Sequence, residues 1–165
     1  MLNSTLALTC CCYIAALGKV ASEGDTERCD RAIFESFIDR YMKDFNRESK
    51  SLKDTVAALG IAEKHAPHVL RRRRCSFSGG NAATAAFYKV YRCGFVHSFW
   101  PRDGVLVRMG TSRPYWYTPG EKPHLNVDRL AWGLLQGIER VRADFQQRAE
   151  KSPNAFRHFV TCLMQ

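Results

Sequence analysis

The first twenty-two residues decide what the rest of the chain has to work with. In MLNSTLALTCCCYIAALGKVAS an apolar run from Leu6 to Leu17 is followed by small residues and then by acids. Such a run rises only about 18 Å as a helix, against the ~30 Å hydrocarbon core of a bilayer. It is therefore too short for stable membrane insertion and matches the apolar region of a secretory signal peptide. Val20-Ala21-Ser22 places small side chains where a signal peptidase reads them. The expected cut follows Ser22, with Gly18 as the alternative, leaving residues 23–165 as one mature, secreted domain. No Lys or Arg precedes Lys19, so the usual basic start of a leader is missing. The competing reading is a buried N-terminal helix.

Removing the leader changes the cysteine arithmetic. Of the seven cysteines, Cys10, Cys11 and Cys12 go with it, and Cys29, Cys75, Cys93 and Cys162 remain. An even count in a short secreted chain favours disulfides. No two of the four stand in a C-x-x-C pair, so no zinc site is expected. The favoured pairing is Cys29–Cys162, tying the two ends, and Cys75–Cys93, closing a short loop worth ~3 kcal/mol on the chain-entropy model. If the segment stays on the protein, the triple cysteine becomes a palmitoylation candidate instead.

Along the mature chain, Ile33, Phe34, Phe37, Ile38, Tyr41, Met42 and Phe45 fall on one face of a helix over Thr26–Phe45. Ser51 caps a second helix, Leu52 to about His65, ended by Pro67. SFSGGNAAT reads as a connector. FYKVYRCGFVHSFW, from Phe87, is rich in β-branched and aromatic residues and predicts a strand. PRDG turns the chain, VLVRM returns, GTSRP turns again, and YWYT adds a third strand. Asn126 or Asp128 caps a third helix through about Ala149, with Leu130, Leu134, Leu135, Ile138, Val141 and Phe145 as its stripe. Ser152 and Pro153 start a short last helix, with a closing strand through FRHFVTCLM as the competing reading. The expected fold class is α+β: two N-terminal helices, a three- to four-stranded antiparallel β-meander, and a C-terminal helix packed on one face. Hydrophobic residues at 45% and aromatics at 12% are enough for one packed core.

Charge is the sharpest functional signal. The formal net charge is +9. Glu23–Leu70 holds 8 basic and 10 acidic residues, and Arg71–Gln165 holds 16 and 6, so the cations gather in the second half. There HVLRRRRCSFSGG sets four arginines against a cysteine. Arg71, Arg72, Arg73, Arg74, Arg92, Arg102, Arg108 and Arg113 make a candidate basic face, since the guanidinium fork matches phosphate and carboxylate geometry. Tyr88, Tyr91, Trp100, Tyr115, Trp116 and Tyr117 are interleaved with them, as in modules that bind single-stranded nucleic acid. The plainer reading puts half of these rings in the core and leaves the arginines solvated. Acidic proteins, glycans and RNA all answer to such charge. The arginine run also fits a processing site, with cleavage after Arg74. RCGFVHSF echoes part of an RNA-recognition strand, but an extra residue before Phe99 breaks the match, and the element order is wrong.

Candidate chemistry is thin. A metal-free ribonuclease needs an acid, a base and a cationic phosphate clamp, for which His97, Arg108 and His124 (or Glu121) are the candidates. A histidine in an alternating strand is more often structural. His65 and His68 beside Glu63 could clip a metal, but a helix C-terminus attracts histidine anyway. No P-loop, G-x-S-x-G, H-E-x-x-H or zinc-deaminase pattern is present, and no cofactor is implied. At the level of class alone, the chain resembles the small disulfide-stapled α+β proteins that parasites release toward hosts. That resemblance implies an effector-like, non-enzymatic interaction protein with a host or anionic partner, and carries no active site. The alternative is a secreted ribonuclease-like toxin.

Overall fold

A computed structural model of the chain describes residues 2–22, 30–48, 84, 87–98, 106–110, 114–117, 124–154, 156 and 157. The elements are α1 (Leu2–Ala21), α2 (Asp30–Tyr41), α3 (Lys43–Glu48), a π-helical segment (Tyr88–Arg92) running into α4 (Cys93–Ser98), β1 (Leu106–Arg108), β2 (Trp116–Tyr117), β3 (His124–Asn126) and α5 (Val127–Lys151).

The stripe read over Thr26–Phe45 is real. Ile33, Phe34, Phe37, Ile38, Tyr41, Met42 and Phe45 are all buried. The single helix becomes two because the chain tightens at Met42. Its N–H still donates to Ile38 O at 2.9 Å, but Phe45 N–H then donates to Met42 O at 2.8 Å, a three-residue step. The second predicted helix, Leu52 to His65, lies outside the described residues.

The antiparallel meander is corrected. The described residues are helix-rich, and they carry only a small mixed sheet of order β1-β3-β2. β1 runs parallel to β3, with Val107 against Leu125, and β2 runs antiparallel to it, with Trp116 against Leu125. The segment expected as its first strand is helical. Phe87, Tyr91 and Phe95 recur every fourth residue and all three are buried. That spacing is a helical stripe that strand propensity hid, since β-propensity records a fit to a half-buried surface more than a backbone preference. One extra residue in the first turn makes it π-helical: Cys93 N–H donates to Tyr88 O, five residues back. VLVRM and YWYT do supply strands, both shorter than expected. β3 falls where the sequence suggested only a chain break.

Asn126 does cap α5, accepting from Arg129 N–H at 3.4 Å. It is fully buried and ties the junction together. Its N–H donates to Tyr115 O at 2.8 Å and its side-chain amide donates to Gly110 O at 2.6 Å. Of the predicted α5 stripe, Leu130, Leu134 and Val141 are buried, whereas Leu135 points outward. The expected last helix begins as predicted: residues 153, 154, 156 and 157 are helical, and Phe156 N–H donates to Ser152 O at 3.0 Å.

The core is aromatic. The Phe45 ring lies 5.0 Å from Tyr115, 5.2 Å from Phe87 and 6.1 Å from Trp116, and Tyr91 lies 5.2 Å from Trp116. Tilted and edge-on pairs of this kind contribute about 0.5–1.5 kcal/mol each beyond area burial. α1 closes another side with Ala7, Cys10, Cys11 and Ile14. The apolar run at the N-terminus therefore sits inside a 20-residue helix, long and apolar enough by length and composition to cross a membrane. Length alone no longer separates a leader from a longer-lived helix.

Candidate functional site

The predicted site residues are dispersed. Arg108 is exposed at the end of β1, registered against Asn126 of β3, with His124 registered against Leu106. These two ribonuclease candidates thus reach neighbouring strands of one sheet. His124 is half-buried, its ring edge-on to Tyr117 at 5.2 Å. His97 lies on α4, which removes the strand placement beside Arg108 on which its candidacy rested. Glu121, His65, His68 and Glu63 lie outside the described residues.

Of the candidate basic face, Arg71, Arg72, Arg73, Arg74, Arg102 and Arg113 lie outside the described residues. Arg92 is drawn inward. Its guanidinium stands 3.8 Å from Asp30 and 5.4 Å over the Tyr88 ring. Arg108 is the described member of the set that faces solvent. Cys93 carries a free thiol; its expected partner Cys75, and Cys29 and Cys162, lie outside the described residues. Cys10 and Cys11 are free and buried. Burial pushes the Cys10 thiol up to about 11 and Cys11 well above the ordinary range. Both are protonated packing residues, poor nucleophiles at neutral pH.

The arginines that sequence reasoning left out of the site make the two polar clasps of the fold. In the first, Arg129 of α5 reaches Glu48 of α3 with two donors, Nε at 3.2 Å from Oε2 and Nη2 to Oε1. It also lies 5.1 Å over the Tyr115 ring. The Glu48 hydrogen bond raises the Arg129 pKa further, so the guanidinium stays charged. Burial lifts the Tyr115 hydroxyl to about 12, with Arg129 working against it. In the second, Asp144 of α5 accepts from Tyr41 Oη at 2.7 Å, from Arg40 at 3.0 Å and from Arg148 at 3.2 Å. Burial would raise the Asp144 carboxyl, but Tyr41 and the two guanidiniums outweigh it and hold the pKa below its ordinary value. Arg140 donates to Tyr41 O at 2.6 Å beside this group. Apart from Arg148–Asp144, one turn apart, these hydrogen bonds and ion pairs join residues 81 to 104 positions apart, and no short motif announces them.

Further polar groups are buried among the described residues. Glu35 is 3% exposed, with its pKa raised by burial and partly restored by Arg31. Trp116 Nε1 has no acceptor among the described residues. Among those residues no three His, Cys, Asp or Glu side chains converge on a metal-sized point. Among the described residues the geometry assembles ion pairs that hold helices together. No family model, curated protein or solved structure matches the chain.

Proposed function

We propose that this is a small, exported, non-enzymatic interaction protein that engages an anionic partner through its basic second half. The observation that carries the reading is how the charge is disposed. The chain has a formal net charge of +9. The described arginines of the two clasps (Arg129, Arg40 and Arg148) already pair with Glu48 and Asp144, Asp144 taking two of them. Most of the positive excess therefore belongs to side chains outside those clasps, Arg108 and the run Arg71–Arg74 among them. Unmatched surface charge of one sign steers association and does little for the fold.

Export through α1 is part of the proposal. The segment is apolar, uncharged up to Lys19 and followed by Val20-Ala21-Ser22. After cleavage, Cys29–Cys162 and Cys75–Cys93 would replace the lost packing with covalent ties.

The test uses heparin as an anionic probe. Binding by the purified protein should weaken steeply with added salt, with log K falling linearly in log salt concentration. Replacing Arg71–Arg74 by alanine should lower both the affinity and that slope. An affinity that ignores salt, or that survives the four replacements, defeats the proposal.

The second reading, a ribonuclease-like toxin, is favoured by Arg108 and His124 on adjacent strands. Cleavage of single-stranded RNA that is lost in His124→Ala would establish it and remove the interaction reading. RNA left intact between about pH 4 and pH 8, the span over which carboxylate and imidazole pairs titrate, would remove the ribonuclease reading.

A further inference from the structure

α5 buries an apolar inner face and leaves two large apolar side chains on its outer one. Trp132 and Leu135 are 54% and 57% exposed. With Glu139, Arg142 and Gln146, all exposed, they follow steps of three and four residues along one outward stripe. Asp128 begins that stripe one turn before Trp132. Met109, 53% exposed, precedes Gly110, which donates an N–H to Asp128 Oδ2 at 2.8 Å. A Trp and a Leu exposed one turn apart on one helix are the kind of apolar anchors that interfaces use.

We propose that this face is a self-association surface, on which two copies pack α5 against α5 in antiparallel about a two-fold axis at Leu135. Charge complementarity selects that partner and that direction. Asp128 and Arg142 lie two turns before and two turns after Leu135, about 10.5 Å each way. An antiparallel pair centred on Leu135 sets each Asp128 against the second copy's Arg142 and Trp132 beside the second copy's Ile138. The two Leu135 side chains meet at the axis. A parallel pair would stack Asp128 on Asp128 and Arg142 on Arg142. The symmetric contact is isologous and closes at two copies. Arg142 is free to exchange partners, since its present contact is a surface pair with Glu139 at 3.6 Å in which both side chains are about two-thirds exposed. The stripe carries Asp128, Glu139 and Arg142, so it is not basic and does not belong to the anionic-partner surface.

Sedimentation equilibrium of the purified protein, from about 1 to about 100 µM, tests this. The expected result is a reversible monomer–dimer equilibrium. Leu135→Arg, at a position exposed in the monomer, should keep the wild-type circular dichroism and abolish the dimer. Arg142→Asp should weaken association by about tenfold, because two symmetric surface ion pairs become repulsive. In a parallel arrangement the same change would not weaken it. A protein that stays monomeric throughout, a dimer indifferent to Leu135→Arg, or an Arg142→Asp variant that associates as tightly as wild type overturns the proposal.

Discussion

α1 and α5 pack against the same core by different means. α1 uses small and apolar side chains (Ala7, Cys10, Cys11 and Ile14), and its described ion pair is Lys19 with Asp30, 3.7 Å apart and more than half exposed at both ends. α5 adds two multidentate clasps, Glu48–Arg129 and Asp144 with Tyr41, Arg40 and Arg148, and a point of very close approach at Gly133. Apolar packing is non-directional and spreads its energy over area, whereas a bidentate charged pair fixes register as well as energy. α5 is therefore the keyed element of the fold, whereas α1 is held mainly by apolar packing.

That difference can be broken or sharpened by substitution. Gly133→Ala should have the largest effect, because the added Cβ would sit 1.7 Å from the buried Tyr115 hydroxyl. Moving that ring disturbs the core around Phe45, and a loss of about 3 kcal/mol in chemical denaturation is expected. Glu48→Gln should cost about 2 kcal/mol, because it removes the charge that holds Arg129 over Tyr115. Gly18→Ala is the matching change on α1. Its Cβ would approach Ile33 Cγ2 to 2.9 Å and the α2 backbone at Ile33 O to 3.0 Å, a smaller overlap than the one at Gly133. The expected loss is about 1 kcal/mol. A loss equal to that of Gly133→Ala would mean that α1 is keyed as firmly as α5.

Asp144→Asn should have the smallest effect at neutral pH, about 1 kcal/mol, and a distinct one in acid. The folded-state pKa of Asp144 lies below its ordinary 3.8. Its contribution is therefore complete above that value and is lost as pH falls through the depressed folded-state pKa. Wild-type stability should drop across that acid window. Asp144→Asn should flatten this part of the profile, as read from urea midpoints at pH 2 to 5 (the range in which carboxylates titrate, approximately).

Periodicity made the α2 stripe, the Asn126 cap and the body of α5 legible in the sequence, because each is a local pattern confirmed by burial. It failed where two periods overlapped. Phe87, Tyr91 and Phe95 are spaced for a helix, but Val90 and Val96 and the surrounding rings raised the strand propensity of the whole segment. β3 was hidden because three residues make no pattern; it exists through pairing with β1 and β2. Leu135 was assigned inward on hydrophobicity, yet it stands one turn from Trp132 on the outward stripe. For the site, the count of arginines was legible and their duties were not. Whether Arg129 binds a partner or clasps Glu48 depends on a residue 81 positions away, and Arg92 is held at Asp30 and Tyr88.

The proposal that α1 is cleaved while the keyed α5 stays is tested most directly by the intact mass of the protein recovered from the secreting cells' medium, measured before and after reduction. The account predicts a chain beginning at Glu23, lighter than the full sequence by residues 1–22, that gains four mass units on reduction as two disulfides open (about 2 Da each, one hydrogen per sulfur). A mass equal to that of all 165 residues, with α1 still attached and no gain on reduction, would contradict it.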